Sequence, residues 1–398
     1  MQYNLLQLKQ QVRDELTRNI LPFWMTKMLD NQNCGFHGQM TGENQLVPDA
    51  PKGGILNARI LWTFSSAALH LKSAEYLAMA TRAKDYVFTH FFDGSNGGTY
   101  WLLNADGTPG DTKKQIYSQA FFVYALVEYY RASGDENALY KSIDLFFLIE
   151  KHSFDKEKNG YLEAYSRDWH LLEDLRLSEK DANEKKTMNT HLHILEAYTN
   201  LYRVWKHPLL ESQLKNLVEL FLDRIINNET GHLDLFFDEG WTCKSAIHSY
   251  GHDIETSWLL DEAARVLGNA PLYQRVKEAC VRLAMAASEG LRDDGGLMNE
   301  RNCADNHLDT NCDWWPQAEA MVGYYNIYQL TGNAFYLGEV LKCWDFIQKH
   351  IIDSENGEWF WSVASDGAPD RKNDKAGFWK CPYHNGRMCL ELIARINE

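Results

Sequence analysis

A short signature recurs along this chain at nearly constant intervals, and it limits the possible folds more than any other feature. An acidic or amide residue, a short polar turn and a glycine appear as DNQNCG, DGSNGG, DKEKNG, NNETG, RDDGG and DSENG. The closing glycines are Gly35, Gly98, Gly160, Gly231, Gly296 and Gly357, spaced by 63, 62, 71, 65 and 61 residues. A period of this length means one supersecondary unit used six times, so a single repeat architecture can span a chain that would otherwise be expected to divide into two domains.

Each turn follows an amphipathic run such as ATRAKDYVFTHFFD or VLKCWDFIQKHIID, with apolar residues at helical three-and-four spacing. These runs read as helices ending at glycine caps. After most turns comes an alternating stretch such as GTYWLLNADGTPG, whose Asp-Gly pair signals a tight hairpin. A second helix then begins in every unit, for example GILNARILWTFSSAALHL and QIYSQAFFVYALVEYY, and it is apolar nearly all round. A helix without a polar face belongs inside. The expected fold is therefore all-α: an (α/α)6 barrel of six inner and six outer helices, with short β-hairpins on one rim. No distinct polar end repeats mark an open solenoid, and no linker-like segment interrupts residues 1–398, so closure and a single domain are expected.

Composition narrows the function. A formal charge of −15 without clustered Lys and Arg argues against nucleic acid as a partner. No apolar run is long enough to span a membrane, and the N-terminus lacks the basic start and apolar stretch of a signal peptide, so a cytoplasmic protein is expected. The eight cysteines show no C-x-x-C spacing and read as buried free thiols. Aromatic residues make up 13%, with thirteen tryptophans, and flat rings of this kind stack on sugar faces.

Polar residues concentrate at the starts of the otherwise apolar inner helices, which points to a shared pocket at one end of the barrel. In GGILNARILW, Asn57 and Arg59 offer donors for sugar oxygens or a developing oxyanion. In MNTHLH, Asn189 and His193 are four apart and share a helix face, while His191 points elsewhere. In HSYGHDIETSWLL, Glu255 lies one turn beyond His252, where it is expected to orient the imidazole. In WKCPYHNGRMC, Pro382 suits the first helical position and puts His384 in the first turn, where the helix dipole disfavours an imidazolium. Trp314 and Trp315, with Glu319 a turn later, supply a stacking platform and a carboxylate. Tyr117, Trp258 and Trp379 complete the expected substrate contacts.

Three histidines and an arginine suit proton transfer alpha to a carbonyl, which needs a base, an acid on the opposite face and donors for an enediolate. No G-x-G-x-x-G, Walker or H-E-x-x-H sequence is present, so neither cofactor nor metal is expected. Two other classes compete. A helical-toroid glycoside hydrolase would use Asp313 and Glu319 and leave the histidines idle; a non-catalytic sugar-binding toroid would have no use for bases on opposite faces.

At these residues the chain resembles the cellobiose 2-epimerases of the N-acylglucosamine 2-epimerase superfamily, carried by HSYGHDIETSWLL, WWPQAEA and WKCPYHNGRMC and running from LPFW to the last helix. The resemblance implies the (α/α)6 fold and a cofactor-free C2 epimerisation of the reducing-end sugar in β-1,4-linked disaccharides. It implies His252 and His384 as the acid/base pair, His193 as a supporting histidine and Arg59 at the enediolate. Asn189 and Glu255 match polar neighbours, and Trp315 and Trp379 match stacking aromatics. N-acylglucosamine epimerases and mannose isomerases, which take monosaccharides, are the nearest alternatives. The expected partner is a small disaccharide, and the expected state a monomer or weak homo-oligomer.

Overall fold

A computed structural model describes residues 5–396. Among these the α-helices in chain order are α1 (Leu5–Glu15), α2 (Leu21–Thr26), α3 (Gly54–Leu71), α4 (Ala74–Tyr86), α5 (Ile116–Ser133), α6 (Glu136–His152), α7 (Met188–Val204), α8 (Pro208–Leu220), α9 (Tyr250–Leu267), α10 (Ala270–Ala287), α11 (Trp314–Thr331), α12 (Ala334–Phe346) and α13 (Tyr383–Arg395). The helical pattern at the N-terminus is seen from Leu5; its first four residues lie outside the described residues.

The odd-numbered helices from α3 to α13 form the inner ring. Each packs on the next, and α13 packs back on α3, which closes the barrel. Helices α4, α6, α8, α10 and α12 each lie outside the inner helix that precedes them, and α1 covers α13. The apolar patterning explains the sorting. Burial on α5 runs unbroken from Ile116 to Tyr129, whereas on α4 only Ala80, Ala83 and Tyr86 are buried. Each large aliphatic side chain fully removed from water contributes roughly 1.5–3 kcal/mol. Among the described residues no helix is long and apolar enough to cross a membrane.

The two ends of the barrel are built differently. At the lower end, four inner helices stop at a left-handed residue, Lys72, Gly134, Gly268 or Gly332. The next residue, Ser73, Asp135, Asn269 or Asn333, caps the outer helix with its side-chain oxygen. At the upper end, α4, α8 and α12 widen into a π turn before the chain leaves the helix. The repeat glycines are therefore not helix caps, as the sequence suggested. They sit beyond the helix in a tight turn, with positive φ at Gly35, Gly98, Gly160, Gly231 and Gly357; in the fifth unit Gly295 takes that conformation instead. The recurring acidic or amide residue of the turn accepts backbone N–H groups, Asn227 doing so in the fourth unit. Asp93 holds those of Ser95 and Asn96 and also pairs with the buried Lys114 at 3.1 Å. Asp30 with Lys52 and Asp155 with Lys186 repeat the arrangement at 2.7 and 2.8 Å, and Asp353 with Lys375 does so in the last unit.

The rim hairpins do more than decorate. Each pairs antiparallel with the strand leading into the preceding inner helix: Leu102–Leu103 with Lys52–Gly53, Ala164–Tyr165 with Lys114–Gln115, Phe236–Phe237 with Lys186–Thr187, Glu300–Asn302 with Ile247–Ser249, and Ser362–Val363 with Cys312–Asp313. A bridge from Met40 to Ala376 completes the circle between the first and last units. All eight cysteines are free, and five are buried; Cys34 and Cys303 are exposed and Cys243 half-buried, which corrects the expectation of uniform burial.

Candidate active site

The upper ends of all six inner helices converge on a cavity of about 520 Å³, within the range of small-molecule sites. Ten of the thirteen site residues expected from sequence line it: Arg59, Tyr117, Asn189, His193, His252, Glu255, Trp314, Trp315, Trp379 and His384. Trp361, Asn373 and Asp313 add to the wall, and the loop at Leu177–Asp181 forms part of the roof. Asn57, Trp258 and Glu319 do not line it. Asn57 donates to the carbonyl of Gly53 at 2.8 Å, tying down the start of its own helix. Trp258 is buried beneath the floor, where its indole N–H donates to Glu319 at 3.0 Å. Glu319 in turn lies behind His384 rather than beside the tryptophan platform.

Each of the three cavity histidines is held by one ring nitrogen. Nδ1 of His384 is 2.7 Å from Glu319, Nδ1 of His193 is 2.9 Å from Glu196, and Nδ1 of His252 is 2.8 Å from Ser249 Oγ. Nε2 is thereby left as the working nitrogen. Glu255, expected to orient His252, instead receives a hydrogen bond from Arg387 at 2.6 Å; the helix places it one turn from His252, but the arginine holds it. His191 is structural: Nε2 accepts from Tyr161 N–H at 2.9 Å, and Nδ1 contacts the Thr187 carbonyl at 2.7 Å.

Arg387, quoted within a sequence motif but given no role there, is the hub of the floor. It is buried and donates to Glu196, Glu255 and Glu319, two of which hold cavity histidines. Its guanidinium also packs on the rings of Trp258 and Tyr383, at 4.7 and 4.4 Å. One signal for the carboxylates stood in the sequence: His-x-x-Glu occurs at His193–Glu196 and again at His252–Glu255. Arg59 lies between Phe121 and Tyr383, 4.4 and 4.9 Å from the ring centres, and donates to Tyr117 Oη at 2.9 Å. Trp315 sits between the two outermost histidines, its ring centre 4.7 Å from His252 and 5.7 Å from His384. Trp314 packs against Trp361, the ring centres 4.6 Å apart and the planes tilted by 58°.

Burial governs the electrostatics. It pushes both His252 and His384 down to about 3, so each is a neutral imidazole near neutral pH. For His384 the Glu319 carboxylate opposes this shift without overcoming it. Burial would raise Glu319, but Arg387 and His384 hold it below the usual carboxylate range, while burial and the neighbouring Glu319 charge raise Glu255. With Glu319 ionised, the proton of neutral His384 resides on Nδ1 and the lone pair on Nε2. Glu255, Glu319 and His384 bring possible ligand atoms within 4.8 Å of one another, the one such group among the described residues. Arg387 already donates to both carboxylates and supplies the positive charge there.

The profile of the N-acylglucosamine 2-epimerase (GlcNAc 2-epimerase) family matches residues 35–386. The chain is 56% identical over 386 residues to a cellobiose 2-epimerase of Bacteroides fragilis, covering 97% of this chain and 98% of that one. It is 41% identical to a cellobiose 2-epimerase of Ruminococcus albus, with coverage of 97% and 98%. The solved structure of cellobiose 2-epimerase from Bacillus thermoamylovorans superposes with a TM-score of 0.94 at 41% identity, covering 98% of this chain and 100% of that one.

Proposed function

We propose, from the premise that this chain belongs to the N-acylglucosamine 2-epimerase family and is a carbohydrate epimerase, that it inverts C2 of the reducing-end sugar in β-1,4-linked disaccharides such as cellobiose. The observation that carries this reading is the pair of neutral imidazoles, His252 and His384, each tethered through Nδ1 and flanking the Trp315 ring in one cavity. A disaccharide is supported by the names of the full-length relatives and by the aromatic wall of Trp314, Trp315, Trp361 and Trp379. Asn189 Oδ1, buried and without a hydrogen-bond partner, suits a sugar hydroxyl at that wall.

Opening the hemiacetal exposes an aldehyde and makes the C2 proton removable. One imidazole takes that proton through Nε2, and the electron pair left behind forms a cis-enediolate whose oxygen charge faces Arg59. Tyr117 and the rings of Phe121 and Tyr383 hold that guanidinium in place. Rotation about C2–C3 presents the opposite face of C2, and the second histidine delivers a proton held on Nε2. His252 does so as the Nε2–H tautomer, with Nδ1 accepting from Ser249; His384 does so as an imidazolium paired with Glu319, having taken its proton from water while the cavity was open. His193, fixed by Glu196, supports ring opening.

The test is incubation with cellobiose in D2O, without added metal or nucleotide, following products and C2 deuterium by NMR. Glucosyl-mannose carrying C2 deuterium is expected. Glucosyl-fructose as main product would make the enzyme an aldose–ketose isomerase, and glucose release a hydrolase. Turnover of mannose or N-acetylglucosamine but not cellobiose would overturn the disaccharide assignment.

A further inference from the structure

The same position in the six repeats, the residue just before each inner helix, is filled by Gly53, Gln115, Thr187, Ser249, Asp313 and Pro382. Four of these have polar side chains, and three are committed to the protein. Gln115 donates to the Leu175 carbonyl at 3.0 Å, Thr187 accepts from the Thr190 N–H at 3.1 Å, and Ser249 holds His252. Asp313 is the exception. Aspartate is among the most favoured residues for capping a helix start, yet this one makes no cap hydrogen bond to α11. Among the described residues its carboxyl has neither a hydrogen-bond partner nor an ion pair. It lines the reaction cavity instead, half-buried. Burial and the carboxylates of Asp309, Asp370 and Glu300 push it up to about 7, against the pull of Lys180. The charges that act on it most therefore belong to the rim and roof, not to the histidine and arginine floor. A helix start that forgoes its cap and sets a carboxyl among like charges breaks a local rule of stability, as binding sites do.

We propose that Asp313 is a specificity residue that recognises the second, non-reducing ring of the disaccharide by accepting hydrogen bonds from its hydroxyls. The inference deepens the disaccharide reading above and rests on it. For C2 of the reducing ring to reach Nε2 of both His252 and His384, that ring lies at Trp315, between the two histidines. Asp313 stands two residues earlier, before the first turn of α11 and further toward the mouth. The ring that meets it is thus the one that does not react. A pyranose carries hydroxyls on adjacent carbons, and a carboxylate has two oxygens free to accept from them. A hydroxyl also satisfies the carboxyl without adding to the negative charge around it.

The test is steady-state kinetics of the unmodified enzyme, Asp313→Ala and Asp313→Asn, with thermal melts alongside. The substrates are cellobiose and the four cellobioses that each lack one hydroxyl of the non-reducing ring. Asp313→Ala is expected to raise KM for cellobiose about tenfold or more, the usual worth of hydrogen bonds to a charged acceptor, and to leave kcat within about twofold. Asp313→Asn, which keeps one acceptor oxygen, is expected to give a smaller rise. Neither variant is expected to melt earlier, because no cap is lost. At least one deoxy compound is expected to show the raised KM already in the unmodified enzyme and to be indifferent to Asp313→Ala, which identifies the hydroxyl that the carboxyl holds. The proposal is overturned if Asp313→Ala leaves KM for cellobiose unchanged, if kcat falls in place of a rise in KM, or if both variants lose stability as a capping carboxylate would. It is also overturned if the penalty of every deoxy compound adds in full to that of Asp313→Ala. No turnover of cellobiose by the unmodified enzyme would instead overturn the disaccharide reading, and the role of Asp313 with it.

Discussion

The two ends of the barrel are made from the same helices yet treat their polar groups in different ways. At the lower end, charges close on one another: Arg203 with Glu262 at 2.6 Å, Arg265 with Asp261 at 2.8 Å, and Arg395 with Glu391 and Asn326, both at 2.7 Å. At the upper end, each cavity histidine is satisfied on one nitrogen only, and Asn189 Oδ1 has no partner. At the lower end each charge meets an opposite charge or an amide, and the atoms left over, Asp261 Oδ1 and Asn326 Nδ2, line no part of the reaction cavity; at the upper end the unpaired atoms face that cavity and are left for chemistry. The lower end should therefore report on stability and the upper end on rate.

The sharpest way to break that division is at the histidines. His252→Ala or His384→Ala should lower turnover by about 10²- to 10⁴-fold, the usual worth of general acid–base catalysis. Neither should move the unfolding midpoint much, as steady-state rates beside thermal melts would show. Retained activity in either variant would remove that residue from the proposed pair. Arg387, between the two ends, should fail both tests. Arg387→Gln leaves Glu196, Glu255 and Glu319 without their shared cation, and losing one partner of a buried ion pair costs about 3–5 kcal/mol. Urea unfolding would read this as a lower midpoint alongside lost turnover; unchanged stability would mean that the network carries no net charge.

Lower-end turns give a smaller effect of the opposite kind. Gly134 and Gly268 hold φ of 76° and 70°, so alanine at either should cost about 1–2 kcal/mol by thermal melting and leave kcat and KM alone. The gentlest probe is pH. His252 and His384 fall to about 3 in the folded protein from an ordinary value near 6.5, so the native state prefers them neutral. Their contribution is therefore complete above about pH 6.5 and is lost as pH falls towards 3. Asp30, held at about 2 although burial opposes the shift, because the Asn33 backbone and Lys52 stabilise its charged form, loses its contribution only below about pH 4. Unfolding midpoints taken from pH 7 to pH 4.5 should fall in the unmodified protein and fall less in a His252→Gln, His384→Gln double variant. Parallel slopes would contradict the buried-neutral assignment.

Much of this was legible in the sequence because repetition and amphipathicity are local properties. The six turns, the inner and outer helices and the meeting of Arg59, His193, His252 and His384 all follow from spacing and from which helices lack a polar face. Glu196 lies on the same helix as His193, but other partners were less legible, because they come from other helices. Glu319 reaches His384 across 65 positions, and Arg387 reaches Glu196 across 191. No window along one helix contains either pair. Glu255 shows the converse error: its spacing from His252 suits a contact, yet a guanidinium 132 positions away takes it. Ser249 was overlooked for a third reason. It precedes the helix, where side-chain direction depends on the strand pairing of Ser249 with Glu300 rather than on helical period.

Ring closure has a topological consequence. Lys9 donates to the carbonyl of Ile396 at 2.9 Å across 387 positions, and Met40 bridges to Ala376. Compared with joining neighbouring units, closing so long a loop costs under about 2 kcal/mol more in chain entropy, because that cost grows only logarithmically with length. The circle thus has no privileged seam. Cutting it at the Gly134 turn and linking the neighbourhood of Lys9 to that of Ile396 would leave every wall of the cavity in place. A chain stopped before the last unit would lack His384, Arg387 and the wall that meets α3. Catalytic competence therefore belongs to the completed circuit rather than to any arc of it.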